Sequence, residues 1–299
     1  MKKLEELDAR YMNLLTDFGF HKVFGDEANK DLLMDFLNQV VKEEGLITDI
    51  KILPPEEWGN FKTDRKAVFD IFCTSESGEY FIVEMQKAKQ VFFRDRSIFY
   101  AALPIQKQAP KGIWNFRLNK VYLVAILDFV LFDECEKDKE QMIERVYLTR
   151  ESTKTIFSNK LELAFIELPK FRKTENELKT NFDNWLYLLK NMPKLKDRPV
   201  SVKGDIFKKL FELAEIKQLT KKDMGKYRKS VLDYHDVRDA MGCARDEGRE
   251  EGIEIGIEKG IEKEKNAVIR KCLQKNMVME DIVFLTGYSK DMITRLIEN

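Results

Sequence analysis

The sequence predicts an α/β fold, with a central mixed sheet flanked by helices and a mostly helical C-terminal region. Three features predict it: short runs rich in β-branched and aromatic residues set off by turn sequence, helical stripes before and between those runs, and helical periodicity from about Asn176 onward. At 299 residues, 43% hydrophobic and 11% aromatic, the chain can bury one large core or two.

The elements follow in order. Leu14 to Val41 reads as one or two helices, with Thr16 a candidate N-cap, Gly25 a break, and Leu32, Leu33, Phe36, Leu37 and Val40 a helical stripe. Strands are expected at Ile47 to Leu53, Ala67 to Thr74 and Glu79 to Gln86, then a helix from Phe92 to Lys107 and a strand from Lys120 to Asp128. Further strands are expected at Glu144 to Leu148 and Leu161 to Leu168, the last closed by Pro169. The segment Phe182 to Leu189 is amphipathic enough to cover one face of the sheet.

Composition changes near Ala240, which divides the chain into residues 1–240, 241–265 and 266–299. In the middle section Gly248, Gly252, Gly256 and Gly260 follow one side of a helix, Ile253, Ile257 and Ile261 the next, and Glu250, Glu254, Glu258 and Glu262 a third. Interior glycines cost up to about 1 kcal/mol each relative to alanine, so such a helix needs a partner. Close self-association across the glycine face and a flexible charged linker are the two readings. The tail, Met279 to Ile297 around Gly287, reads as helix, glycine turn, helix. It is either a DNA-contacting or dimer-completing unit or a helical cap that only packs.

Lysine plus arginine equals aspartate plus glutamate at 52 each, so any basic surface must be local. Four dispersed cysteines (Cys73, Cys135, Cys243, Cys272) without a C-x-x-C pair, and a start lacking a signal-peptide core, lead us to expect a reduced, cytoplasmic setting. No apolar run is long enough to span a bilayer. Two histidines, His21 and His235, argue against histidine-centred zinc sites and serine or cysteine triads.

The chemistry concentrates in Val68 to Lys87. Turning the chain at Ser77-Gly78 brings Asp70 in one strand near Glu84 in the next, and two such carboxylates repel unless a cation lies between them. They are therefore candidate metal ligands, with the main-chain carbonyl of Met85 as a third oxygen. Gln86 shares a strand face with Glu84 and can orient water or a phosphate oxygen. Lys87 can supply positive charge if the strand ends or bulges there.

These residues resemble the PD-(D/E)XK phosphodiesterases, specifically the recombination-promoting nuclease (Rpn) and transposase branch. The resemblance covers roughly Leu14 to Phe132 and rests on Thr16 to Gly25, Asp70, Glu84-Met85-Gln86, Arg96 to Tyr100, and Lys120 to Phe129. It implies a restriction-endonuclease-like core in residues 1–240 and a magnesium-dependent DNA endonuclease of low sequence specificity, with manganese or calcium as alternative ions. Recombination, horizontal gene transfer or defence against foreign DNA would be its setting. Asp70 and Glu84 would bind the ion, and Gln86, standing where the superfamily has lysine, would complete the site with Lys87 as its substitute. Asp17 matches an acidic position that assists with metal in some relatives, or is a first-turn helix carboxylate. Arg94, Arg96 and Tyr100 would bind or stack on flanking DNA, with Gln106 a weaker candidate. The expected assembly is a homodimer through the glycine-laddered helix, with no membrane partner. The alternative is a nuclease-derived DNA-binding or self-associating protein with weak or restrained cleavage. Strand transfer of the three-carboxylate type would need a third acid in another topology, and none stands out.

Overall fold

The computed structural model describes residues 3–41, 46–53, 69–134 and 140–298. Val68, Cys135 and the expected strand start at Ala67 lie outside them. Two compact units divide the chain, Met1–Arg238 and Asp239–Asn299.

The first unit begins with the short helix α1 (Lys3–Leu7), then α2 (Asp17–Phe24) and α3 (Lys30–Val40). The Thr16 hydroxyl accepts the Gly19 N–H at 3.1 Å, satisfying an otherwise orphaned donor at the start of α2. Gly19 is required for a second reason: a Cβ there would lie 2.2 Å from the Asn13 carbonyl oxygen. Strand β1 (Ile50–Leu53) follows, then β2 (Ile71–Ser75), β3 (Tyr80–Gln86), α4 (Phe93–Lys107), β4 (Val121–Leu127), β5 (Ile143–Thr149) and β6 (Ile156–Glu167). Gly78 closes the β2–β3 turn at φ +88°, a conformation that side chains rarely adopt. Helices α5 (Asn181–Asn191) and α6 (Asp205–Ala214) follow, and α7 (Lys221–Gln274) begins in this unit.

Among the described residues the sheet has six strands in the order β1-β2-β3-β4-β6-β5. β2 and β3 pair antiparallel, whereas β3, β4 and β6 run parallel in one block. Parallel strands covered on both faces should be apolar throughout, and every residue of β4 is buried. On one face Phe81, Val83, Met85, Val124 and Ile126 pack against α2, α3, α5, α6 and the start of α7. Trp185 is fully buried there and donates to Asp35 Oδ2 at 2.6 Å. On the other face Ile82, Leu123, Leu127 and Phe165 pack against Phe93 and Ala101 of α4.

The start of α7 is held to the N-terminal segment by polar pairs: Tyr227 Oη accepts the Asn13 N–H at 2.9 Å, and His235 meets Glu6 at 2.8 Å. The second unit comprises the rest of α7 with α8 (Met279–Thr286) and α9 (Lys290–Glu298) around Ile269, Cys272, Ile282 and Ile293. Its turn uses Gly287 at φ +69°. Lys290, one of two basic groups expected on the last helix, pairs with Glu280. No helix of the described residues is long and apolar enough to cross a membrane.

Candidate active site

Where β2 begins and β3 ends, the antiparallel register that pairs Ile71 with Val83 carries Asp70 to Glu84. The two residues grip one another through the backbone. Met85 donates its N–H to Asp70 Oδ2 at 2.7 Å, and Asp70 donates its N–H to Glu84 Oε1 at 3.3 Å. Strand alternation puts Glu84 and Gln86 on the α4 face, where Gln86 Nε2 lies 3.5 Å from Glu84 Oε2.

Glu84 is only 3% exposed and Asp70 is half-buried. Burial is the main force pushing both carboxyls above their usual range, and for Glu84 the Asp70 charge adds to it. Two N–H groups and Arg96, whose Nη2 is 3.6 Å from Glu84 Oε2, act in the opposite direction without cancelling it. The pair is a concentrated, incompletely neutralised set of hard oxygen donors. Among the described residues no group of three or more histidine, cysteine, aspartate and glutamate side chains gathers, so a hard cation here would keep several waters.

The remaining candidates separate. Arg96 faces the carboxylates, and its guanidinium lies over the rings of Phe93 and Tyr100, at 5.1 and 5.4 Å from their centroids. Tyr100 meets Phe69 edge to face at 5.1 Å, which makes it part of the packing under Arg96. Arg94, two residues earlier on α4 and so turned about 200° away, binds the Leu131 carbonyl and Glu134 instead. Gln106 is exposed ten residues after Arg96, about 15 Å along the helix. β3 ends at Gln86, and Lys87 turns to the α2 face, where its Nζ is 2.7 Å from Asp17 Oδ1. Asp17 is thus a lysine partner, and its charge also raises the Asp70 carboxyl.

Two neighbours were not singled out from sequence. His21, one turn after Asp17 on α2, favours the charged form of Asp70 when protonated. The i, i+4 spacing from Asp17 was the available signal. Asp128, just past β4, donates its N–H to the Gln86 carbonyl at 2.9 Å, while its carboxylate accepts from Tyr234 Oη at 2.7 Å. Nothing local links positions 106 residues apart.

The structure thus places an acidic pair at the end of a mixed sheet, with a glutamine two residues after the second acid. A family model described as PD-(D/E)XK nuclease family transposase matches residues 14–244. No curated protein and no solved structure matches the chain. Because the matched region contains α2, all six strands and every residue of the acidic site, the protein belongs to the PD-(D/E)XK nuclease family transposases.

Proposed function

We propose that this protein is a divalent-metal-dependent endonuclease that hydrolyses DNA phosphodiester bonds with low sequence specificity, in recombination, horizontal gene transfer or defence against foreign DNA. The observation that carries the reading is the pair Asp70 and Glu84, brought to one sheet end and pushed by burial toward holding protons. A divalent ion relieves that tension, and carboxylate oxygens suit magnesium, with manganese or calcium as substitutes.

Asp70 and Glu84 would hold the ion, with the Met85 carbonyl as main-chain ligand. Once bound it supplies Lewis acidity at the phosphate and a more acidic water. The Gln86 amide orients the attacking water or a phosphate oxygen from the same face as Glu84. Arg96 lies on that face too and offsets charge on the phosphate, while Lys87, held by Asp17, contributes positive charge from the α2 side. The Met85 N–H fixes the Asp70 carboxylate before any ligand arrives.

Self-association through the second unit belongs to the same reading. Cβ positions at Gly248, Gly252, Gly256 and Gly260 meet nothing within 4 Å, and Ile253, Ile257 and Ile261 are each at least half exposed. That apolar, small-residue stripe also favours the alternative, a nuclease-derived self-associating protein whose cleavage is weak or restrained. Incubating supercoiled plasmid with the full chain in magnesium, manganese, calcium or EDTA separates them. Nicking that requires a divalent ion supports the endonuclease; equal nicking in EDTA, or none with any ion, overturns it.

A further inference from the structure

Around Asp128 the ends of several elements of the first unit bring cations together. Lys190 of α5 donates Nζ protons to the carbonyls of Leu168 (3.2 Å) and Phe171 (2.6 Å), which fixes its ammonium at the C-terminal end of β6. Arg172 follows Phe171 directly, and Lys194 lies one turn beyond Lys190; both are exposed. From α7, Arg238 donates to Tyr234 Oη at 3.0 Å and reaches within 3.8 Å of Asp128 Oδ2.

The balance of charge is lopsided. Asp128 feels Arg238, Lys190 and Lys194, and Lys190 feels Lys194 and Arg172 as like charges. Glu6, another acid that Arg238 senses, is engaged by Asn13 at 2.6 Å and by His235 at 2.8 Å. Asp128 is itself engaged by the Tyr234 hydroxyl. Among the described residues, three cations therefore act on one carboxylate that is already hydrogen-bonded, with Arg172 a fourth beside Lys190, and an incoming anion would relieve their mutual repulsion.

We propose that Arg172, Lys190, Lys194 and Arg238 form a second phosphate-binding subsite that holds the substrate DNA backbone beside the active site. The placement supports it. Asp128 is bonded through its N–H to the Gln86 carbonyl, so the cluster lies at the same C-terminal end of the parallel strands as Glu84. From β3 across β4 to β6 is two strand spacings, roughly 10 Å. The helices α5 and α7 that carry Lys190 and Arg238 pack on the face opposite α4, so the subsite would hold a phosphate other than the scissile one. Contacts of this kind set register and carry no base information, in keeping with low sequence specificity.

The inference rests on the DNA-cleaving reading, and one experiment separates their failures. Fluorescence anisotropy of a labelled DNA duplex with the full chain in calcium, across about 50 to about 200 mM salt, would compare wild type, the Arg172→Ala/Lys194→Ala double variant and Lys51→Ala. Lys51 is an exposed lysine on β1 at the opposite edge of the sheet. The double variant should bind several-fold more weakly at low salt and lose about 0.9 of log-log salt slope per contact, or about 1.8 in all, with Lys51→Ala unchanged. A double variant with the wild-type slope overturns the subsite and leaves the nuclease reading standing. A wild-type chain that binds no DNA at any salt concentration overturns both.

Discussion

Replacing Glu84 by glutamine keeps the side chain's shape and its ability to accept the Asp70 N–H, but removes its charge. The carboxyl's ordinary value of 4.5 is pushed up to about 8 in the folded protein, so between those values the native state holds a proton that the unfolded chain has released. The sign is therefore fixed: stability is full below about 4.5 and is lost as pH rises toward 8. One proton corresponds to about 1.4 kcal/mol per pH unit, so Glu84 alone accounts for a loss on the order of a few kcal/mol over that interval. Against a typical total of about 5 to 15 kcal/mol this is a large fraction. Urea unfolding without divalent ions, from about pH 5 to about pH 8.5, can be followed through the fluorescence of Trp185, which is fully buried in the same unit. Wild type should weaken steeply with pH, Glu84→Gln much less, and the Asp70→Asn/Glu84→Gln double variant least. At the upper end magnesium at about 100 times its dissociation constant should restore about 2.7 kcal/mol to wild type, and far less to the variants. Parallel pH profiles for wild type and Glu84→Gln would refute the reasoning.

Tyr234→Phe leaves the half-buried Asp128 carboxylate without its hydroxyl donor and should cost about 1 kcal/mol; a double-mutant cycle with Asp128→Asn that shows no coupling would contradict this. The Asp17–Lys87 pair is 62% exposed on the aspartate side. Asp17→Asn should therefore change stability by less than about 1 kcal/mol and keep most plasmid nicking, whereas loss comparable to Asp70→Asn would make Asp17 a metal ligand. Truncation after Arg238 should leave the first unit folded and abolish self-association, so an unchanged sedimentation coefficient ratio between oligomer and monomer would count against the glycine ladder. Arg94→Ala should leave DNA binding within about twofold of wild type, because its guanidinium is engaged by Glu134 and Leu131, while Arg96→Ala should reduce cleavage about tenfold or more.

Much of this architecture was legible because buried parallel strands announce themselves. Val121 to Leu127 is apolar at every position, and the structure keeps all of it in β4. Edges were less legible. β1 starts at Ile50 instead of Ile47, because Ile47 exchanges two hydrogen bonds with the Asn38 side chain, at 2.8 and 3.0 Å, instead of with a strand. β6 begins at Ile156, five residues before the expected start. Its first stretch, with Ser158, Asn159 and Lys160, is largely exposed, and the pairing with β5 shifts register there. In the site, period-two alternation correctly grouped Glu84 with Gln86. Helical geometry could have chosen between Arg94 and Arg96, since residues two apart cannot face the same sheet end. The Asp128–Tyr234–Arg238 link and the cations gathered at β6 join segments far apart in sequence, so only the folded chain brings them together.

The central claim is that Asp70 and Glu84 together hold the ion that cleaves DNA. Its most direct measurement is the magnesium-dependent nicking rate of supercoiled plasmid by wild type, Asp70→Asn and Glu84→Gln at equal protein concentration. Loss of at least about a thousandfold in each variant, some 4 kcal/mol of transition-state stabilisation, is the predicted result. Nicking by either variant at the wild-type rate would contradict the account.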